Sequence, residues 1–267
     1  MKKLSVLAIA FAAVLFAACG GKKSAQNDAA ADSLKSFEQQ QIEASIKMHF
    51  DSIAAELGKL KQPAFLQEKN GGLTLSKEEK QVKPTYLLAA GVAEEATTLA
   101  EKYRILSALS VDKKIAELYE MPVDEYEKAV TKLAADINDP SFKVVDNAGT
   151  IFETTNALYD AMNENGRINF FWQLASAALV EQLYITSQNT DKFLSVVNDE
   201  AAANLTFRIV LILDAVNRLS AYDPDIKPIA EAIAPLDVLN ATTVAELKAQ
   251  LNEAKEKIVK ARTALIK

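Results

Sequence analysis

Residues 168–185 read INFFWQLASAALVEQLYI, a helix-length segment whose apolar side chains cover almost its whole circumference. Polar residues interrupt the segment, and it is shorter than the roughly 20 apolar residues that span a bilayer. It therefore predicts a core helix that other helices surround. The aromatic residues Phe170, Phe171 and Trp172 near its start are expected to belong to the core rather than to a ligand platform.

The composition of the whole chain favours helices. Of its 267 residues, 49% are hydrophobic, whereas eight are glycine, seven are proline and 7% are aromatic. This balance is typical of helical proteins and differs from that of β-sandwiches or barrels. We predict an all-α fold, an irregular bundle of about eight to nine helices around the segment at 168–185. Stacked helical hairpins are the alternative architecture.

The remaining helices are predicted from apolar residues that recur every three or four positions. They lie at about 34–60, 84–110, 111–121, 123–138, 142–164, 190–222, 229–234 and 244–267. Pro84 is expected in the first turn of its helix, where its missing N–H costs nothing. Gly166 is expected to close the helix before the core segment in a left-handed conformation, which makes the two helices antiparallel neighbours.

The N-terminus has the pattern of an export signal. Lys2 and Lys3 precede an apolar run from Leu4 to Phe16, a length typical of a signal-peptide core. The run is followed by small and polar residues without apolar periodicity, the composition of a flexible tether. The sequence thus predicts a signal peptide at 1–18, a tether at 19–33 and a single helical domain at 34–267.

The small residues Ala17 and Ala18 directly before Cys19 resemble the lipobox of bacterial lipoproteins. The resemblance implies that Cys19 becomes the new N-terminus and carries lipid, palmitate included, which anchors the chain in the outer membrane. Surface lipoproteins of the Bacteroidota tend to carry acidic residues after this cysteine. Here Gly20-Gly21-Lys22-Lys23 follows, which favours the periplasmic face. An ordinary secreted protein, cut at the same small residues, is the alternative.

A second resemblance concerns the core segment. The turn Asn165-Gly166-Arg167 precedes the apolar helix, which then continues through Glu181-Gln182-Leu183-Tyr184. This arrangement resembles an uncharacterised group of helical lipoproteins of the Bacteroidota, in which an Asn-Gly-Arg turn precedes an apolar helix ending in an acidic residue, Leu and Tyr. The resemblance implies an envelope location and an all-helical fold, and it supplies no catalytic residues.

The counts of reactive residues restrict the chemistry. Cys19 is the only cysteine and His49 the only histidine, so an intramolecular disulfide is impossible and most metal sites and nucleophilic mechanisms are excluded. His49 is expected to be an exposed or boundary residue. The formal charge of −6 argues against nucleic-acid binding. We therefore predict a protein without enzymatic activity, metal or cofactor.

Glu181 is the strongest candidate for a functional polar residue. On a helical wheel it falls among apolar residues of the core segment, so we expect a buried carboxylate that needs a partner. Arg208, on the following helix, is the expected partner, with Arg104 and Arg167 as second choices. The two residues form either a polar pocket between helices or a buried ion pair that fixes helix register.

Three functions are compatible with these features. The first is a membrane-anchored, non-enzymatic envelope lipoprotein that acts as a structural module or binds an envelope protein. The second is a small-molecule-binding module with a pocket between helices near Glu181. The third is a hydrolase that works through carboxylates, which requires two acidic side chains close together in a cleft.

Overall fold

The computed structural model describes residues 44–60, except residue 46, together with residues 72–146 and 155–266. The chain forms two compact units, Met1–Lys47 and Met48–Lys267. Residues 44, 45 and 47 of the first unit are helical and exposed. The predicted signal peptide, the tether and the lipidation residue Cys19 lie outside the described residues.

The second unit is helical, and its described part contains no strand. Its α-helices are α1 (48–59), α2 (Lys77–Gln81), α3 (Leu99–Leu118), α4 (Asp124–Ile137), α5 (Lys143–Asp146), α6 (Thr155–Glu164), α7 (Ile168–Gln188), α8 (Thr190–Phe193), α9 (Asp199–Leu219), α10 (Lys227–Ile233), α11 (Val244–Glu253) and α12 (Lys255–Ile266). Short 3-10 helices lie at Ala90–Glu94, Pro140–Phe142 and Ala234–Val238. The predicted all-α class is confirmed.

Helix α7 is the centre of the bundle. It contacts α3, α6, α9, α10, α11 and α12, and most of its side chains from Phe171 to Ser187 are buried. In a linear stack of hairpins each helix would meet only its neighbours along the chain, but α3 and α12 both reach α7. The described helices therefore form the predicted bundle around the core segment.

Aromatic side chains join α1 and α6 to the first half of α7. The ring of Phe50 on α1 lies 5.8 Å from that of Trp172, and the ring of Tyr159 on α6 lies 5.1 Å from that of Phe171 in an edge-to-face arrangement. Trp172 is fully buried. These contacts confirm that Phe171 and Trp172 belong to the core, and they hold α1 and α6 beside the same stretch of α7.

The turn between α6 and α7 has the predicted geometry. Gly166 has a φ of +67°, a left-handed conformation that glycine adopts without a Cβ penalty. The N–H groups of Asn165 and Arg167 donate to the carbonyls of Ala161 and Met162, so the last turn of α6 is closed by backbone hydrogen bonds. Because the turn is short, α7 packs directly against α6.

The predicted helix start at Pro84 is wrong. Helix α3 begins at Leu99, where Thr98 accepts a hydrogen bond from the N–H of Glu101 and the Glu101 carboxylate accepts the N–H of Thr98 in return. This capping box satisfies amides that a helix start leaves unpaired. The preceding residues instead form an irregular segment with one 3-10 turn, whose side chains Tyr86 and Leu87 pack on the core.

Two further long helices are interrupted. The predicted helix at 190–222 is α8 and α9, because the Asn198 side chain caps a new helix by accepting the N–H of Ala201. The predicted helix at 244–267 is α11 and α12, which meet at Ala254, where ψ is 0°. The predicted helix at 229–234 corresponds to α10, which ends at Ile233 and is followed directly by the 3-10 helix that contains Pro235.

Candidate functional site

Glu181 lies in the interior and is paired with the last helix. Its side chain is 1% exposed, and its two carboxylate oxygens accept hydrogen bonds of 2.8 Å from Nε and Nη2 of Arg262 on α12. Such paired bonds fix both the distance and the orientation of the two groups. The predicted pairing of Glu181 with Arg208 is therefore wrong, because α12 rather than α9 reaches the Glu181 side of α7.

A second carboxylate shares the same guanidinium. Asp112 on α3 is 0% exposed, and its Oδ2 accepts the N–H of Leu88 at 2.7 Å and lies 3.9 Å from Nη2 of Arg262. Burial and the neighbouring Glu181 carboxylate raise the pKa of Asp112 well above its ordinary value. Asp112 therefore holds a proton over a pH range in which an exposed aspartate is ionised.

Tyrosines enclose this charged cluster. The Arg262 guanidinium lies 3.8 Å from the ring centre of Tyr184, and its Nη2 donates to the carbonyl of Tyr86 at 3.3 Å. The Tyr126 hydroxyl donates to the carbonyl of Leu88, and burial raises the pKa of Tyr126 to about 12. Asp112, Glu181 and Arg262 thus fasten α3, α7 and α12 to one another inside the fold.

This geometry gives no support to a hydrolase at the cluster. Paired-carboxylate catalysis requires a cleft with room for a substrate between the two acids. Here one guanidinium binds Glu181 and lies close to Asp112, and neither acid lines the cavity described next. The arrangement instead has the features of a buried ion pair that fixes helix register.

A cavity of about 40 Å³ lies on another side of α7, between that helix and α1, α6 and α9. One stripe of α7 forms its longest wall, at the three- and four-residue spacing of a single helix face. The lining residues are Phe171, Leu174, Ala175, Ala178, Leu179 and Gln182 of α7, Leu57 of α1, Thr155 and Leu158 of α6, and Arg208 and Ile212 of α9. The two alanines leave the space that larger side chains would fill.

The two long polar side chains that line this mostly apolar cavity are Gln182 and Arg208. Gln182 is 4% exposed, and its Oε1 accepts no hydrogen bond from the described residues. Arg208 is also buried, its Nη2 donates to the carbonyl of Leu60 at 3.2 Å, and burial lowers its pKa to about 10. The cavity therefore combines an apolar surface with the side chains of a buried glutamine and a buried arginine.

The sequence prediction located only half of this site. Arg208 is predicted as a buried polar residue, and it is buried. Its surroundings are the cavity and the Leu60 carbonyl instead of Glu181. Gln182 was missed, although its position next to Glu181 on a helix that is apolar all round indicated that it too would be buried.

His49 lies at the boundary of the fold, away from the cavity lining. Its Nε2 lies 2.9 Å from Oδ2 of Asp214, whose other oxygen accepts a hydrogen bond from Nε of Arg218. Within the described residues there is no group of three or more His, Cys, Asp or Glu side chains arranged to hold a metal ion. The part of the chain that the structure describes also lacks a helix with the length and hydropathy of a membrane span.

Comparisons with protein-family models, with curated proteins and with solved structures found no match to this chain. The resemblance to the group of helical lipoproteins of the Bacteroidota, based on Asn165-Gly166-Arg167 and the following helix, stays a prediction. The function is therefore argued from the geometry of α7 and its neighbours.

Proposed function

We propose that this protein is a lipid-anchored envelope protein whose helical domain binds a small, mostly apolar molecule without transforming it. The observation that carries the proposal is the mostly apolar cavity along α7, which the side chains of Gln182 and Arg208 also line. An apolar cavity with a few polar groups is the usual form of a small-molecule site. A core built only for stability would fill such a space.

The polar groups of the cavity suit recognition better than catalysis. Gln182 has no titratable group, and Arg208 stays protonated at neutral pH even though burial lowers its pKa to about 10. Neither side chain acts as a base at neutral pH, and neither is activated as a nucleophile. The groups that could exchange protons, Asp112 and Glu181, lie in the enclosed cluster with Arg262.

The size of the cavity limits the ligand. A space of about 40 Å³ is room for roughly three water-sized groups, since one water needs about 10–15 Å³ by this kind of measure. The site therefore accepts a small molecule or the slim end of a larger one.

The location is proposed from the sequence. A signal peptide ending before Cys19 and lipid on that cysteine would hold the domain at the outer membrane, facing the periplasm. A ligand-binding domain in that position would meet molecules that diffuse through the envelope. No nucleic acid, metal or cofactor takes part in the proposed function.

Filling the cavity tests the proposal. Ala175→Leu adds three carbons to a half-buried wall residue, whereas Ala203→Leu adds the same carbons at a half-buried position of α9 that does not line the cavity. We expect Ala175→Leu to abolish binding of short-chain hydrocarbon and alcohol probes measured by calorimetry, and Ala203→Leu to bind as the wild type does. Equal binding by all three proteins would contradict the proposal.

A second candidate function, binding of an envelope protein, is favoured by the outer face of α9. Phe207 and Val210 are 43% and 50% exposed, and the only charged residue between 201 and 213 is Arg208, which is buried. Exposed apolar surface without charge is typical of interaction sites. Phe207→Lys with Val210→Lys should then reduce capture of a partner from membrane extract, whereas the exposed control Asn217→Lys should not.

A further inference from the structure

We propose that the docking of helix α12 is linked to one proton, which Asp112 and Glu181 share while Arg262 holds α12 against α3 and α7. When α12 leaves its place, the two carboxyl groups meet water and the proton is released. A rise in pH therefore favours the released helix. This link involves the enclosed cluster only, so it does not depend on ligand binding in the α7 cavity.

The charges of the cluster balance only when a proton is present. Asp112 and Glu181 are both buried, and Arg262 is the cation that the described structure places within 4.0 Å of both carboxyl groups, at 3.9 Å and 2.8 Å. Two ionised acids beside one guanidinium would leave a buried negative charge without compensation, which is strongly unfavourable. One bound proton removes this charge.

The hydrogen bonds indicate which acid carries the proton. Both carboxylate oxygens of Glu181 accept N–H groups of Arg262 at 2.8 Å, whereas Oδ2 of Asp112 lies 3.9 Å from the same guanidinium. Oδ1 of Asp112 is buried and has no hydrogen-bond partner among the described residues. Burial and the adjacent Glu181 carboxylate, which lies within hydrogen-bonding reach, raise the pKa of Asp112. Asp112 is therefore the protonated acid, and Glu181 is the one that pairs with Arg262.

The neighbours of Asp112 come from four elements. The titratable and charged groups that face it or its partners are Tyr86 of the irregular segment before α3, Tyr126 of α4, Glu181 and Tyr184 of α7, and Arg262 of α12. Burial raises the pKa of Tyr86 and of Tyr126, so these phenols stay neutral at about pH 8. A change between about pH 5 and pH 8 therefore acts on the carboxyl pair.

Helix α12 is the element that responds, because Arg262 belongs to it and its connection to α11 is a break in the helix. The two helices meet at Ala254, where ψ is 0°. The contacts of Arg262 form a large part of the attachment of α12, since the buried side chains of this helix are Ile258, Ala261 and Leu265. Release uncovers the side of α7 that carries Glu181 and Tyr184, which the docked helix covers.

Hydrogen–deuterium exchange of the full chain between about pH 5 and pH 8 tests the proposal. Protection factors, corrected for the intrinsic pH dependence of exchange, measure how often each helix opens. We expect α12 to be less protected than α9, which carries none of the cluster residues. We also expect the protection of α12 to fall by up to about tenfold for each pH unit until Asp112 ionises in the docked state, because opening releases one proton.

Two variants that each remove one carboxylate test the charge balance. Asp112→Asn and Glu181→Gln each leave one acid for Arg262, so either variant should make the protection of α12 independent of pH in this range. Asp136→Asn is the matched control, since Asp136 pairs with Lys132 at the surface of α4, and it should keep the wild-type dependence. Circular dichroism establishes that each variant is folded, and one folded variant of the pair is enough.

Three results would overturn the proposal. A pH dependence that survives in folded Asp112→Asn or Glu181→Gln would mean that the second carboxylate is not its cause. Constant protection of α12 in the wild type would mean that no proton is linked to docking. Equal protection of α12 and α9 at every pH would mean that α12 opens only when the whole domain unfolds.

Discussion

Glu181 on α7 and Arg262 on α12 are joined by two hydrogen bonds of 2.8 Å between the carboxylate oxygens and Nε and Nη2 of the guanidinium. The residues are separated by 81 positions in the chain, and the carboxylate is 1% exposed. Breaking a buried pair leaves a charge without compensation, which costs far more than the pair itself contributes. The final helix is therefore fastened to the core by a contact that tolerates little change.

Removing the cation of this pair should destabilise the fold strongly. Arg262→Ala leaves Glu181 buried without a counter-charge, and we expect the free energy of unfolding in urea to fall by about 3–5 kcal/mol. Arg218→Ala is the control, because Arg218 pairs with Asp214 at the surface and such pairs contribute about 0–1 kcal/mol. Equal losses in the two variants would show that the buried pair has no special role.

Asp112 should make stability depend on pH. Its pKa is raised in the folded protein, whereas in the unfolded chain it is near the ordinary value of about 4. Between these two values the folded state binds more protons, so the free energy of unfolding falls as the pH rises. This contribution is complete below pH 4 and is lost progressively as the pH approaches the folded pKa.

The variant Asp112→Asn tests the direction of this pH dependence. Asparagine resembles the protonated acid, and it keeps an oxygen for the N–H of Leu88. We expect its stability relative to the wild type to increase as the pH rises from about 4 to 8. Urea unfolding over this range measures the difference, and two parallel pH curves would mean that Asp112 is ionised in the folded state.

The capping box of α3 should stabilise the folded protein by an amount that decreases at acidic pH. Hydrogen bonds from the backbone and side chains of Thr98 and Thr97 lower the pKa of Glu101 to about 2. The contribution of this carboxylate to the free energy of unfolding is therefore complete above its ordinary pKa of 4.5 and is lost as the pH falls towards 2. Thr98→Ala should reduce stability by about 1 kcal/mol at neutral pH. Thr263→Ala is the control, because Thr263 is exposed inside α12, and it should change the stability measured by thermal unfolding little.

The lipid anchor is tested by cell fractionation. Cys19→Ser removes the thiol that would be acylated, so the protein should move from the membrane fraction to the soluble fraction. Ser24→Ala, in the predicted tether, should stay in the membrane fraction. Retention of Cys19→Ser in the membrane would mean that another part of the chain anchors it.

The parts of the fold that sequence reasoning predicted are those with local causes. Helix α7 has apolar residues around almost its whole circumference, so its central position follows from burial alone. Gly166 adopts the left-handed conformation that a short turn needs, as the sequence predicts. Each of these features depends on a few neighbouring residues.

One boundary error was avoidable from the sequence. Pro84 fits the first turn of a helix, but it fits extended backbone equally well, so it does not mark a helix start by itself. Thr98 and Glu101 have the same spacing as Thr243 and Glu246, and this capping box marks the true start of α3.

The contacts that form the ion pair and the cavity join residues that are far apart in the sequence. Arg262 follows Ile258 by four residues and lies at the edge of the inner stripe of α12, so its partial burial was predictable. Its partner depends on how α12 packs on α7. The cavity depends on α1, α6 and α9 leaving a space beside Ala175 and Ala178. Small residues on the inner face of a helix are compatible with a neighbouring helix that packs closely and equally with a cavity. The sequence alone does not distinguish these two arrangements.

The claim that the α7 cavity binds an apolar molecule is tested most directly by methyl NMR during titration with 1-hexanol. The side chains of Leu57, Leu158 and Leu174 line the cavity, whereas those of Leu251 and Leu265 are buried in α11 and α12 away from it. We predict saturable shifts of the methyl signals of the first three leucines and unchanged methyl signals of the other two leucines. Absence of shifts at the cavity, or equal shifts at all five residues, would contradict the account.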